Sequence, residues 1–113
     1  MAIPDYLIPE LKRLVHDLVN GDFELLEKDG RAGRLTASEI RKALADYGHV
    51  LMDIPDSEYE KIEPIRVQSL RELWAIDLDL WAAGQGRSEL TLSVEATILD
   101  KSVTVMIIDL HVL

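Results

Sequence analysis

The chain contains no cysteine, few aromatic residues and no long apolar run. Without cysteine, neither disulfide bonds nor thiolate metal sites can form. Aromatic residues make up only 5% of the 113 positions, which leaves few rings to line an enclosed pocket. No apolar stretch approaches the roughly 20 residues of a membrane-spanning helix. Residues 1–5 also lack the basic and apolar regions of a signal peptide. We therefore expect a cytoplasmic, bacterial-type protein that does not associate with membranes.

Basic residues are scarce as well. Twelve lysines and arginines stand against 21 acidic residues, and the net charge is −9. Such a charge repels a nucleic-acid backbone, so we expect no nucleic-acid binding. Residues 49–113 hold five basic and twelve acidic side chains, whereas residues 1–48 hold seven and nine. This acidic half would attract a protein partner with a basic surface, although the charge could equally serve solubility alone.

The length and the 48% hydrophobic content predict a single domain over residues 1–113. Helical patterns occupy residues 1–48. Apolar residues from Leu11 to Val19 recur at helical spacing, and Asp22 stands where it could cap a second, short helix. The run from Thr36 to Glu39 matches a capping box at the start of a third helix.

Strand patterns occupy residues 49–113. The segment 89–98 alternates polar and apolar side chains without a break, which is typical of a strand with one buried face. Further strands are predicted at 49–53, at 62–67 (with Pro64 marking an edge), at 73–81 and at 103–113, with a surface loop at 55–61. The predicted fold class is α+β, with N-terminal helices packed on one face of a curved antiparallel sheet of about four strands.

The apolar pattern also predicts the register of the sheet and the composition of its polar face. On that face lie the candidate binding residues Asp77, Asp79, Trp81, Asp109 and His111. Three cross-strand rows are expected: Asp77, Ser93 and Asp109; Asp79, Thr91 and His111; Ala75, Glu95 and Ile107. A three-residue loop at 100–102 would set Ile98 opposite Thr104.

Several kinds of site are possible in this sequence, on the polar face and elsewhere, and none has a specific motif. Asp77 and Asp79 could chelate a metal ion, but Asp109 would lie roughly 9–10 Å away across two strands. Asp109 and His111 could act as an acid–base pair only in an enclosed site. Residues 30–34 hint at a phosphate-binding turn, against the alternative of a flexible surface turn. We predict no cofactor and no metal, and we do not expect an enzyme.

A contact surface is the remaining possibility for this face. In the predicted register Val105, Ile107 and Leu113 lie there beside Trp81 and the acidic side chains, which suits a protein contact. The alternative is that the segment 49–67 buries these apolar residues. Homodimerisation through the face would be isologous, and the like charges of the aspartates would oppose it.

Three regions carry a resemblance to known families: residues 18–23, the helix from Leu35 to Gly48, and the strands of 72–113. Their order resembles a compact member of the nuclear transport factor 2-like (cystatin-like) cone. Residues 86–92 and 108–113 are also similar to a family of small uncharacterised bacterial domains. The cone resemblance implies either a binding protein, including the immunity type that neutralises toxins, or an enzyme with carboxylates in an apolar pocket.

From these observations we predict a protein-binding module that uses an acidic sheet face. The alternative is a ligand-binding or catalytic cone whose pocket is lined by carboxylates and His111. A homodimer is compatible with either.

Overall fold

The computed structural model describes residues 5–62, 64–67, 72–99 and 102–112. A 3-10 turn at Asp5–Leu7 precedes four helices: α1 (Ile8–Val19), α2 (Phe23–Lys28), α3 (Ala37–Tyr47) and α4 (Asp56–Tyr59). The strands are β1 (Leu51–Met52), β2 (Ile65–Val67), β3 (Glu72–Ala82), β4 (Gly86–Leu99) and β5 (Ser102–Val112). The helices of the N-terminal part come before the long strands, and the antiparallel sheet is curled like half a barrel. The α+β fold class is therefore confirmed.

The first three helices form where local signals place them. Helix α1 begins with proline in its first turn and buries the stripe of Leu11, Leu14, Val15 and Leu18. Helix α3 starts at a complete capping box, in which the Thr36 hydroxyl accepts from the Glu39 amide and the Glu39 carboxylate accepts from the Thr36 amide. Gly48 ends this helix at a φ of 82°, a left-handed conformation that suits glycine.

Two local predictions about the helical elements are wrong. The side chain of Asp22 makes no capping hydrogen bond to α2. Residues 56–59 form a short helix instead of a surface loop, and Tyr59 at its end is buried. The helix forms because burial of the Tyr59 ring against the core holds this segment to the domain.

Strand β3 lies near the centre of the sheet, in the order β1, β3, β4, β5. Strand β1 pairs with residues 81–82 of β3, and β2 pairs with residues 73–75 on the same side. Proline has no N–H to give to a ladder, and Pro55 and Pro64 flank the segment that leaves the sheet between β1 and β2. Among the described residues, positions 76–80 of β3 consequently have no strand partner on this side.

The predicted register is confirmed for two rows. Ser93 pairs with both Asp77 and Asp109, and Thr91 pairs with both Asp79 and His111. At the hairpin, Thr104 pairs with Thr97 instead of Ile98, because β5 begins one residue earlier than predicted. The connecting residues 100–101 lie outside the described residues.

The third predicted row is confirmed for Ala75 and Glu95 and is wrong for Ile107, because a bulge interrupts the pairing of β4 and β5. The register shifts between Ser93 and Val94, and Glu95 therefore pairs with Met106 instead of Ile107. Val105 and Ile107 point into the core and are almost fully buried, so they do not belong to the polar face. The alternative, that the segment 49–67 buries them, does not apply, because the core itself does so. Leu113 lies outside the described residues.

The core lies between the helices and the apolar face of β3, β4 and β5. It joins the buried stripe of α1 and Ile40 of α3 to Ile76, Leu80 and Leu92 of the sheet. The turn after α2 also packs on this sheet, since the Ile107 amide donates to the Arg31 carbonyl at 2.7 Å. Residues 30–34 form a turn as predicted, but it is only partly on the surface, because Arg31 and Ala32 are buried.

Candidate functional site

A groove opens where the chain leaves the sheet between β1 and β2. Its volume is about 460 Å³. One wall is the segment around α4, with Ile54 and Ile62 at its two ends, and the other is strand β3. The groove includes the stretch of β3 that has no strand partner on this side in the described part of the chain. The groove thus lies beside positions of β3 whose backbone has no strand partner on this side among the described residues.

Two of the predicted site residues line this groove with carboxylates. Asp77 and Asp79 are exposed and stand two positions apart on β3, on one face at a spacing of roughly 6.5–7 Å. Asp77 accepts a hydrogen bond from the Ser93 hydroxyl at 2.7 Å. Within the described residues, no lysine or arginine forms an ion pair with either carboxylate. These two charges are available to a positively charged group.

Trp81 is the third predicted site residue in the groove. Its ring is half-buried and lies close to Gly86 on the neighbouring strand. A Cβ at Gly86 would be in ordinary van der Waals contact with the ring, at 3.7 Å. The groove therefore offers an aromatic surface next to acidic groups, an arrangement that attracts cations.

Charged residues on the α4 side hold the wall in place. Glu58 binds Lys61 at 3.1 Å and Arg87 at 2.9 Å. The hydrogen bond from Lys61, assisted by Arg87, lowers the pKa of the Glu58 carboxyl from its usual value. Because Arg87 belongs to β4, this pair ties the helix wall to the sheet. Lys61 and Arg87 thus both pair with Glu58, and neither pairs with Asp77 or Asp79.

Asp109 and His111 lie on the same face of the sheet but outside the lining of the groove. His111 Nδ1 is 3.0 Å from an Asp109 carboxylate oxygen, yet the geometry is not that of a hydrogen bond. Between Asp79 and His111 stands Thr91, whose hydroxyl is buried and has no hydrogen-bond partner. The five predicted site residues therefore divide into a groove set of three and a β5 pair, and the groove does not include that pair.

A second groove, of about 370 Å³, lies on the other side of α4. Its charged groups already have partners: Lys12 pairs with Asp56 at 3.0 Å, and His16 pairs with Asp53 at 3.2 Å. Burial raises the pKa of the Tyr59 hydroxyl in its floor, and Asp53 and Asp56 reinforce this effect. A groove whose charges compensate each other internally is the weaker candidate for a site.

The sequence interpretation missed the wall of the first groove, because it assigned residues 55–61 to a loop. A signal was present: Asp56 and Glu58 follow Pro55, and acidic residues after a proline are typical of a first helical turn. The burial of Tyr59, in contrast, had no signal in the local sequence.

The part of the chain that the structure describes contains neither a metal-binding cluster nor a membrane-spanning helix. No three histidine, aspartate or glutamate side chains of that part come together to hold a metal ion. No helix within it is long and apolar enough to span a bilayer.

Comparison with known proteins gives a family and no activity. A family model described as "Domain of unknown function (DUF7668)" matches residues 15–113. No curated protein and no solved structure matches the chain. The α+β class stands on the structure, while the likeness to the nuclear transport factor 2-like cone stays a prediction.

Proposed function

The chain belongs to this family of domains of unknown function, and from that premise we propose that the domain binds a basic, partly apolar segment of a protein partner. The segment would lie in the groove between α4 and β3. One observation carries the proposal: Asp77 and Asp79, without basic partners in the described part of the chain, stand beside the half-buried ring of Trp81.

Acidic side chains line the groove and continue over the polar face of the sheet. The acidic side chains Asp77, Asp79 and Glu58 line the groove with Lys61 and Arg87, and the two cations are held by Glu58. The rest of the same face adds further carboxylates on β4 and β5, in line with the acidic balance of residues 49–113. A lysine or arginine of a partner would be attracted over a distance of about a Debye length, near 8 Å at physiological salt.

The shape of the groove favours an extended segment over a small molecule. It is only partly enclosed, and apolar contact comes from Ile62 and the ring of Trp81. Small-molecule sites usually enclose most of the ligand, whereas tryptophan beside polar groups is a frequent anchor of protein contacts. The alternative function predicted from the sequence, a ligand-binding or catalytic cone, calls for an enclosed pocket containing the β5 pair, and no observation favours it.

An immunity-like role is a narrower form of the same proposal. A module that neutralises a basic partner would use an acidic surface with an aromatic anchor. The groove supplies these features, and the identity of the partner is left to experiment.

The test is selection from a displayed library of random linear peptides, followed by titration of the selected peptides. Fluorescence reports binding, because Trp81 lines the groove while Trp74 is buried in the core and serves as an internal reference. We expect the selected peptides to combine lysine or arginine with an apolar residue. Raising the salt concentration from about 50 to about 500 mM should slow their association, since charge complementarity acts mainly on the on-rate.

A double variant, Asp77→Asn with Asp79→Asn, tests the site itself. We expect it to weaken peptide binding about tenfold, equivalent to about 1.4 kcal/mol. The matched control removes two exposed carboxylates from the helical part, Asp22→Asn with Asp46→Asn, and should change the affinity less than about twofold. Selected peptides without basic residues, or equal losses in the two double variants, would contradict the proposal.

A further inference from the structure

Strand β5 is an edge strand, and only part of its edge is covered. The Ile107 amide donates to the Arg31 carbonyl, and Gly33 lies so close that a Cβ there would be 2.3 Å from the Ile107 carbonyl oxygen. The turn after α2 thus covers the strand up to the bulge. Beyond it, no backbone hydrogen bond from outside the sheet reaches residues 108–112 within the described part of the chain.

This uncovered segment is unusually apolar for an exposed strand edge. Its ends are Ile108 and Val112, whose exposed fractions are 47% and 53%. Proteins usually protect such edges with lysine, proline or a covering element, because free strand edges pair with other strands. The segment has neither lysine nor proline, and its ionisable side chains are Asp109 and His111.

The segment is complementary to itself. If two copies pair antiparallel about a two-fold axis at Leu110, Ile108 of each copy stands opposite Val112 of the other. Asp109 then stands opposite His111, and this pair occurs twice. Both members lie on the polar face, because they pair within the chain with Ser93 and Thr91. Cross-strand pairs of this kind stabilise a sheet, whereas like charges at these positions would oppose pairing.

We propose that a second copy of this chain binds at the β5 edge and extends the sheet across a two-fold axis. The contact is isologous, as expected for a homodimer. It joins the sheets edge to edge, so the aspartates of the groove do not face each other as they would in face-to-face pairing. Five residues from each chain form the ladder, so the dimer is weak and dependent on concentration. The proposal does not depend on the function of the groove.

The test is the concentration dependence of the mass, measured by sedimentation equilibrium from roughly 10 μM to roughly 1 mM, the range in which a small interface dissociates. We expect the wild-type mass to rise toward that of a dimer. His111→Asp places two aspartates opposite each other at both symmetric positions and should raise the dissociation constant about tenfold or more. Val50→Asp adds a negative charge at an exposed residue next to β1 and is the matched control.

A charge swap distinguishes pairing from simple acidification. In the double variant Asp109→Lys with His111→Asp, the two opposite-charge pairs are restored, and its dissociation constant should return to within about threefold of wild type. Circular dichroism verifies that each variant is folded. The proposal is overturned by a wild-type mass that stays monomeric over the whole range, by equal effects of His111→Asp and Val50→Asp, or by a charge swap that fails to restore association.

Discussion

The guanidinium of Arg31 lies in the interior, between carboxylates of α1 and of the turn after α2. Its side chain is only 7% exposed, and it forms ion pairs with Asp17 at 2.7 Å and with Asp29 at 2.8 Å. Burial opposes the charge, but the ion pairs with Asp17 and Asp29 outweigh this effect, so the pKa of Arg31 is raised. The residue connects α1 to the turn after α2, and its carbonyl also accepts the β5 amide.

Replacing Arg31 with alanine should be far more damaging than loss of a surface ion pair. It leaves Asp17, which is only 15% exposed, without its positively charged partner. Breaking a buried pair by removing one member costs about 3 to 5 kcal/mol. This is a large part of the roughly 5 to 15 kcal/mol by which a domain is stable. Arg31→Lys should still cost on the order of 2 kcal/mol, because an ammonium group does not reproduce the fork that reaches both carboxylates.

The assay is urea unfolding at neutral pH, with stability taken from the midpoint at constant slope. The matched control is Lys42→Ala, which removes an exposed pair between Lys42 and Asp46 on α3. That change should cost less than about 1 kcal/mol. If Arg31→Ala cost no more than Lys42→Ala, the pairs of Arg31 would be equivalent to surface pairs, and the argument from burial would be refuted.

Three shorter predictions concern stability and its pH dependence. Gly33→Ala should lower the free energy of unfolding by more than about 2 kcal/mol, because the residue has a φ of 62° and its Cβ would be 2.3 Å from a carbonyl oxygen. Gly30→Ala is the control: it has open space around it and should cost about 1 to 2 kcal/mol. Thermal or urea unfolding measures both changes. Thr36→Ala should cost about 1 kcal/mol through loss of the helix cap, and an unchanged unfolding midpoint would contradict this. The pKa of Glu58 is lower in the folded than in the unfolded protein. Its contribution to stability is therefore fully present above the unfolded-state pKa and is lost as the pH falls through the folded-state pKa. Glu58→Gln should make stability less dependent on pH between these two values.

Elements specified by neighbouring residues could be predicted from the sequence. The capping box at Thr36 and the alternation along β4 both depend on contacts within a few positions. The rows through Ser93 and Thr91 also followed, because a slip by one residue would turn the buried face of a strand to solvent. The residues of the acidic face were therefore identified correctly as neighbours, and their role remains a proposal.

The bulge in β5 could be predicted only in part. The apolar positions change phase along the strand, from Val105 and Ile107 to Leu110 and Val112, and two adjacent isoleucines mark the change. A strict alternation was assumed instead, which put Val105 and Ile107 on the polar face. The structure resolves the conflict by inserting Ile108 as an unpaired residue, so that Leu110 packs against the core beyond the bulge as Val105 and Ile107 do before it.

Local periodicity thus determined the first three helices, the long strands and the acidic composition of one sheet face, because hydrogen bonds and side-chain directions in regular elements repeat over short intervals. Tertiary packing decided where the groove opens, through the burial of Tyr59 and the pairing of β1 and β2 with separate parts of β3. It also decided that Arg31 lies in the interior, because carboxylates from α1 and the α2 turn meet there. These features depend on residues that are distant in sequence, and their energies arise only when the chain has brought them together.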